Sequence, residues 1–312
     1  MKPWKIGASY AVAISHDGRL LATLARDVFI WDLALRSKTV RAHPFSHPSD
    51  AAFSPDQRNM AVKSTSGQIV VLDAQSGQTV VDFKNAADGE GSNLQYSPCG
   101  SYIVDGTWSG LLSVRRASSG TREFVQDFGE MIRSVHGCED GKHWVIAHGA
   151  KATPDDGPPC NYFSVWRWPF GSETCRILPE RIAFSRSSAL SPDGALLAVV
   201  HGAPPDTLSV FRIEDGACVG LVSIQSGGTG HALSWSKDGR LVASVQDQNI
   251  VFFTWPGLAK THQLALSYPS DVAFSPRGDL LAIGSWQVGW VLSAHTLTTT
   301  TLPQKPRRPS GD

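Results

Sequence analysis

Short apolar segments separated by polar turns run along almost the whole chain, and one pattern of them recurs. An apolar strand leads into a turn of the type Ser-Pro-Asp-Gly, and a second strand of the type Leu-Leu-Ala follows. Short apolar runs bounded by turn residues favour β-strands over helices. The pattern therefore predicts pairs of antiparallel strands. Its copies lie at 14–22, 53–61, 96–104, 137–145, 190–198, 235–243 and 274–282.

The copies are spaced with a regular period. Their third turn residues lie at positions 17, 56, 99, 140, 193, 238 and 277, so the successive intervals are 39, 43, 41, 53, 45 and 39 residues. Most of these intervals match the period of about 40–45 residues that is typical of a four-stranded propeller blade. The longest interval, 53 residues, indicates an insertion in the fourth unit.

Each unit has the pattern of four antiparallel strands. In the second unit they are predicted at 51–53, 59–64, 68–73 and 78–83. The Asp-Gly pair is expected to supply the positive φ angles of a tight hairpin, and the proline before it fixes φ where the chain leaves the first strand. One such sheet cannot bury both of its faces, whereas seven stacked radially can. The sequence therefore predicts an all-β fold, a seven-bladed β-propeller of four-stranded antiparallel blades.

The repeat resembles that of WD40-type β-propellers over residues 8–302, and the Ser-Pro-Asp-Gly-x-Leu-Leu-Ala phrase carries the resemblance. The Trp-Asp ending of strand three is present at Trp31-Asp32 alone, and a Gly-His dipeptide at Gly230-His231 alone. The hydrogen-bond network that joins His, Ser or Thr, Asp and Trp in this family is therefore expected to be incomplete in every blade. The resemblance implies a single domain, 1–302, with blades at about 8–47, 48–85, 90–128, 130–178, 182–226, 229–267 and 268–302.

The two ends of the predicted ring leave an alternative open. Residues 296–302 could form the fourth strand of the last blade, or residues 2–6 could pair there and close the ring. The segment 303–312 contains three prolines and three basic residues, and we expect it to be a disordered tail.

The charge balance narrows the functional classes. The chain of 312 residues has 28 Lys+Arg and 28 Asp+Glu, so its formal net charge is zero. A general nucleic-acid binder needs a basic surface, and zero charge disfavours both that class and binding to an anionic membrane. No apolar run approaches the roughly 20 residues that span a bilayer, and residues 1–7 lack the apolar stretch of a secretory signal.

The cysteines favour a reducing compartment. There are five, an odd number, and no two are spaced as C-x-x-C. A secreted disulfide scaffold would have a denser and even set. We therefore expect unpaired thiols in a cytoplasmic protein, with a cysteine nucleophile or a zinc site as the alternative.

The predicted channel strands offer little chemistry. Among the residues assigned to the innermost strands, only Arg133 is ionisable. Asp50, Glu130 and Asp271 come nearest to a set of metal ligands, just before their strands, although such carboxylates more often cap loop turns. Carboxylate pairs, a nucleophile elbow and a phosphate-binding loop are all missing from the sequence. We therefore expect no catalytic site, no metal and no cofactor.

One face of the ring is the expected working surface. The loops that join strands two and three, and those that join successive blades, emerge together, and in WD40-type proteins that face most often takes ligands. Loops at 149–161 and 201–206 are extended there, and long loops often carry function. Trp108 and Trp286 lie at turns where a polar residue would be solvated more cheaply. The candidate partner-binding residues are Arg26, Trp108, Arg133, Asp155, Asp156, His201, His231 and Trp286.

These features predict a non-catalytic scaffold or adaptor that binds another protein or a peptide. It would act as a subunit of a complex or as an inhibitor or immunity-type partner. The alternative is a propeller enzyme that binds a small molecule, such as a lactonase-like hydrolase. A weaker alternative is binding of a sugar or a nucleobase through Trp108 and Trp286, and zero net charge disfavours the nucleic acid.

Overall fold

Backbone hydrogen bonds sort the strands into seven separate sheets. The computed structural model describes residues 2–83, 90–138, 141–149, 161–171, 175–178, 182, 185–202, 205–225, 232–299 and 302. No helix in these ranges is long and apolar enough to cross a membrane. The strands are β1 Trp4–Ser9, β2 Ala11–Ile14, β3 Leu20–Leu24, β4 Val28–Asp32, β5 Ser37–Ala42, β6 Pro48–Phe53, β7 Asn59–Ser64, β8 Ile69–Asp73, β9 Thr79–Asp82, β10 Gly91–Tyr96, β11 Tyr102–Thr107, β12 Leu111–Arg116, β13 Arg122–Asp127, β14 Met131–Gly137, β15 His143–Gly149, β16 Asn161–Arg167, β17 Cys175–Ile177, β18 Ser185–Leu190, β19 Leu196–His201, β20 Thr207–Arg212, β21 Cys218–Ser223, β22 Leu233–Trp235, β23 Leu241–Gln246, β24 Asn249–Thr254, β25 Lys260–Ala265, β26 Pro269–Phe274 and β27 Leu280–Ser293.

Each of the first six sheets consists of four strands in sequence order, from β2–β5 to β22–β25. All neighbouring strands are antiparallel, as in the pairing of Ala52 with Ala61. The innermost strands contact one another in a closed circle, from β2 through β6, β10, β14, β18, β22 and β26 back to β2. This arrangement confirms the predicted seven-bladed β-propeller, and the four strands predicted in the second unit correspond to β6–β9.

The N-terminal strand completes the last blade. Segment β27 supplies both middle strands of that blade, because Ala294, just after its end, donates a hydrogen bond to the carbonyl of Asp279, just before its start. Strand β1 pairs with the second half of β27, with Trp4 opposite Val291. The segment Ala294–Thr299 is a 3-10 helix. The first and last parts of the chain therefore close the ring together, and the alternative of a fourth strand at 296–302 is wrong.

The hydrophobic core lies between the blades. Alternate residues of a strand point to opposite faces of its sheet, so each middle strand contributes to two interfaces. In β11, Ile103 packs toward the preceding blade and Val104 toward the following one. Seven apolar clusters arise in this way, each shared by two successive blades. The cluster that joins the last blade to the first contains Ile6 of β1.

The recurrent Ser-x-Asp-Gly turn has a common backbone geometry. In the first blade the N–H of Gly18 bonds to the carbonyl of Ser15, and the N–H of Ser15 bonds to the carbonyl of Leu20. Within the Asp-Gly pair only the glycine takes a positive φ, +65° at Gly18. The expectation that both residues do so is therefore wrong, because the turn is longer than a two-residue hairpin loop.

Side chains reinforce these turns. The hydroxyl of Ser54 donates to Asp56 Oδ1 at 2.6 Å and accepts the N–H of Asn59 at 3.0 Å. The hydrogen bond from Ser54 holds the pKa of Asp56 below its ordinary value. The serine and the aspartate thus fix the turn from both sides, which explains why these residue types recur at this spacing.

Polar side chains at the channel tie three of the blades to the blade that follows. An innermost strand has one unpaired edge, whose N–H groups need acceptors. The residue three positions before the end of β6, β10 or β26 reaches across and accepts an N–H of the following blade. The contacts are Asp50 with Leu94 at 2.7 Å, Asn93 with Val135 at 2.8 Å and Asp271 with Val12 at 2.7 Å.

A buried ion pair adds a further link between the second and third blades. Lys63 Nζ of β7 contacts a carboxylate oxygen of Asp105 in β11 and donates to the carbonyl of Gly106 at 2.9 Å. The two side chains are only 1% and 3% exposed. Charges buried this deeply need a partner to offset their lost hydration, so each residue constrains the position of the other blade.

Replacing Gln57 with glycine is expected to stabilise the protein by about 0.5–1 kcal/mol. Gln57 occupies the glycine position of the turn at φ +60°, and glycine adopts this conformation without the steric cost of a Cβ. The matched opposite change is Gly239→Gln, at φ +67°, where a Cβ meets no other atom within 4 Å. Urea denaturation should show a higher midpoint for Gln57→Gly and a lower midpoint for Gly239→Gln. Midpoint shifts of the same sign would contradict the assignment of Gln57 to the glycine position of the turn.

Replacing Asp271 with alanine is expected to lower the free energy of unfolding by about 1–3 kcal/mol, because the N–H of Val12 loses its acceptor. Asp271→Asn should cost clearly less, since Asn93 makes the same contact with an amide. Guanidinium denaturation compares the two variants with the parent protein. An equal loss in both would show that the tie to Val12 is not the cause.

Candidate functional site

The central channel contains a cavity of about 670 Å³. One end is lined by the Ser-x-Asp-Gly turns, including His16, Pro55 and Lys237. Its wall consists of the innermost strands, where the His136 ring lies 2.9 Å from the hydroxyl of Ser188. A cavity of this volume is large enough for a small molecule.

The channel has more ionisable groups than the sequence predicts. Asp50, Asp271, His16, His136 and Lys237 all line the cavity. The prediction was wrong because β6 and β26 begin before the assigned strands, β14 extends beyond its assigned end, and the turns contribute side chains to one mouth. Arg133, the ionisable residue predicted there, does not line this cavity.

Asp50 and Asp271 have a structural role. Both carboxylates are buried, and each accepts a backbone N–H of the following blade. The expectation that they cap loop turns is therefore wrong. Their carboxylate oxygens are already used as acceptors between blades. Among the described residues, no three His, Cys, Asp or Glu side chains are grouped in a way that could hold a metal ion.

The opposite face of the ring has an exposed aromatic cluster, formed by Tyr10, Tyr268 and Trp286. Trp286 is 64% exposed and Tyr268 is 55% exposed. The rings of Tyr10 and Trp286 stack with their centroids 5.1 Å apart, and the N–H of Trp286 bonds to the carbonyl of Tyr268. Three aromatic side chains from the last and first blades thus share one surface.

Tyr10 holds this cluster in place. Its half-buried hydroxyl donates toward the carbonyls of Ala25, at 2.9 Å, and Pro48. Burial raises the pKa of Tyr10 to about 12, so the hydroxyl stays protonated and a donor at any physiological pH. The ring of Tyr10 thereby fixes the orientation of Trp286 relative to the first blade.

Arg26 is close to the aromatic cluster, because it follows Ala25 in the chain. It is exposed and borders a hollow with Asp27, Arg41 and His43. Arg41 donates to the carboxylate of Asp27 at 2.6 Å, and His43 contacts it at 2.9 Å. Burial alone would raise the pKa of Asp27, but these two partners hold it below the ordinary value.

The other predicted residues lie apart from this cluster. Trp108 is 45% exposed and lies on the third blade, two blades away along the ring from the first. Arg133 is half-buried over Gly149, and burial lowers its pKa. The His201 ring contacts the hydroxyl of Ser209 in its own blade at 2.9 Å. The structure therefore brings together Trp286 and Arg26 from the predicted set. His231, Asp155 and Asp156 lie outside the described residues.

Two members of the cluster, Tyr10 and Tyr268, are absent from the sequence prediction. The predicted exposed aromatic residues are tryptophans at the turns between strands two and three, whereas both tyrosines lie in connections that lead into innermost strands. Tyr268 also has a positive φ of +51°, which is unusual for a bulky residue. An aromatic residue in such a connection, as in Ser267-Tyr268-Pro269, was the available signal.

Comparisons with known proteins agree with this architecture. No protein-family profile matches the chain. Over 139 residues it is 30% identical to the WD repeat-containing protein SL1-17 of Schistosoma mansoni, a match that covers 42% of this chain and 44% of that protein. The chain thus aligns with less than half of the length of this relative.

Two solved structures share the fold at low sequence identity. The hydrazine synthase of Kuenenia stuttgartiensis superimposes with a TM-score of 0.74 at 14% identity, covering 92% of this chain and 95% of that chain. The β-propeller domain of Cps50 (Swd1) from Myceliophteria thermophila also gives 0.74, at 13% identity, with 93% and 98% covered. These two likenesses show the fold, so the chain is a seven-bladed β-propeller, similar over part of its length to a WD repeat-containing protein.

Proposed function

We propose that the protein is a non-catalytic interaction module that binds a partner protein or peptide on the face that carries Tyr10, Tyr268 and Trp286. WD40-type propellers commonly mediate protein–protein interactions. The observation that carries the assignment is the exposed aromatic cluster itself. Aromatic side chains of this kind are the residues that most often dominate binding energy at protein interfaces.

Rigid display of side chains is the proposed mechanism. The cluster is built on a closed ring, and Tyr10 ties it to the carbonyls of Ala25 and Pro48. A surface held in this way loses little conformational entropy when a partner binds. Arg26 at its border offers a charged contact to the rim of an interface, where charge contributes to specificity and association rate.

The alternative of a lactonase-like enzyme has less support. Such an enzyme needs carboxylates at the channel that are available to a ligand or a metal. Asp50 and Asp271 already accept backbone N–H groups, and this structural role explains why carboxylates lie at the channel without assigning them a catalytic role.

As part of the proposal, the module acts in the cytoplasm, as a subunit of a complex or as an inhibitor or immunity-type partner.

Trp286→Ala is expected to weaken partner binding by at least about thirtyfold, the effect of losing a central hot-spot side chain worth about 2 kcal/mol. The partner is first isolated from the native host with the tagged parent protein. Its affinity for each variant is then measured by calorimetry. Trp108→Ala should have a smaller effect, because Trp108 lies outside the cluster.

Leu221→Ala is the matched control, since Leu221 is an exposed apolar residue on β21, an outermost strand. It should bind like the parent protein, and all variants should melt within a few degrees of it. If Trp286→Ala and Leu221→Ala bind equally well, the proposed face is wrong.

A further inference from the structure

The repeated turn is a set of internal variants of one local structure. Where its first residue is serine and its third is aspartate, the serine hydroxyl and a backbone N–H converge on the carboxylate. In the second blade the donors are Ser54, at 2.6 Å, and the N–H of Arg58, at 3.1 Å. The same pair of donors recurs at Asp193 and Asp238. These bonds hold the pKa of all three carboxyls below their ordinary value, so the turn favours a negative charge.

In the third blade this position is occupied by Cys99. The Ser97 hydroxyl lies 3.2 Å from the sulfur and accepts the N–H of Tyr102 at 3.1 Å, which leaves its own hydrogen for the sulfur. The backbone N–H and the hydroxyl of Ser101 also act to lower the pKa of the thiol. Burial alone would raise the pKa of the Cys99 thiol, but these bonds outweigh it and lower the pKa. The side chain is exposed.

Cys99 borders a cavity of about 510 Å³ between the second and third blades. The ionisable side chains that line the cavity besides Cys99 are Asp56, Tyr96 and Arg116. Tyr96 is nine-tenths buried, and its hydroxyl has no hydrogen-bond partner among the described residues. Burial, together with the nearby Asp56 carboxylate, raises the pKa of Tyr96, so the phenol remains a donor. An unused donor in a cavity indicates a site for a polar ligand.

The charges of the cavity define the class of that ligand. Arg116 is partly exposed and is held in position by Glu123 at 2.6 Å, and it can face a carboxylate. Asp56 also lines the cavity and can face an ammonium group. A short zwitterionic peptide carries both groups, and a thiolate at the border of the cavity can react with a disulfide within it.

We propose that Cys99 is a site of S-thiolation by a small zwitterionic disulfide of the oxidised glutathione class. The Cys99 thiolate attacks one sulfur of the disulfide and forms a new S–S bond with it. The original S–S bond breaks, and the other sulfur leaves with the electron pair as a thiolate, which takes a proton from water. The disulfide is the oxidant, so the exchange balances without another reactant.

This site is independent of the proposed partner-binding face. Cys99 lies in a turn between the first and second strands of its blade, and these turns emerge on the face opposite to Trp286. Thiolation can therefore fail while partner binding holds, and the reverse is equally true.

The test compares Cys99 with Cys218 in the full-length chain. Cys218 is also exposed, and its S–H donates to the carbonyl of Gly220 at 3.6 Å. Iodoacetamide alkylation and glutathione adducts are measured peptide by peptide with mass spectrometry over a pH series. Cys99 should reach half-maximal alkylation at the lower pH and should form the adduct at least about tenfold faster at neutral pH. Equal rates at the two thiols would overturn the proposal.

Variants separate the thiolate from the substrate class. Ser97→Ala and Ser101→Ala each remove a donor, so the pH midpoint of Cys99 should rise while that of Cys218 stays unchanged. Cys99→Asp introduces the residue that most of the other blades have at this position, and it should keep the melting temperature and lose the adduct. Arg116→Gln should reduce the preference for oxidised glutathione over the uncharged 2-hydroxyethyl disulfide several-fold. If that preference does not change, the assignment of a zwitterionic disulfide is wrong.

Discussion

The structure depends on how the edges of its innermost strands are satisfied. A sheet that ends at a central channel exposes a row of N–H groups, and an edge of this kind otherwise pairs with another chain or remains solvated. Here the side chain of one blade accepts the N–H of the next, as Asp50 does for Leu94 and Asp271 for Val12. The channel wall is therefore part of the ring's bonding, and its carboxylates serve the fold.

This constraint leaves the two faces of the ring free for different uses. The turns between the first two strands repeat one compact structure, in which serine and aspartate fix the backbone. The opposite face has connections of variable length, and they carry the exposed aromatic cluster. The same turn thus accommodates an aspartate in some blades and a cysteine in the third. On the other face, the rigid ring holds exposed aromatic side chains in fixed positions.

Much of the fold could be predicted from the sequence because its signals are local. The hydrogen bonds of the Ser-x-Asp-Gly turn lie within six residues, so each copy can be identified from its own sequence. The number of copies then gives the number of blades. The sequence did not decide whether residues 2–6 or residues 296–302 complete the last blade. The pairing of Trp4 with Val291 joins residues that are far apart in the chain. No local pattern distinguishes that pairing from a strand at 296–302.

The candidate site was less predictable because it also depends on contacts between residues that are far apart in the sequence. The sequence pattern places Asp271 before its strand like a loop carboxylate, because its partner Val12 is 259 positions away in the chain and leaves no local signal. Tyr10 becomes part of a surface only when the last blade places Trp286 against it. Trp286 was predictable as an exposed aromatic residue, since a turn between two strands cannot bury a side chain of that size without a neighbouring loop.

The position of β1 in the last blade has a consequence for how the protein matures. Strand β1 is synthesised before its pairing partner, Leu280–Ser293, and the other six blades lie between them in the chain. During translation the early blades can stack while one edge of the stack remains open and β1 has no sheet to join. Ring closure therefore has to wait until Leu280–Ser293 has been synthesised, and until then strand β1 is an unpaired segment of the nascent chain, of the kind that chaperones shield.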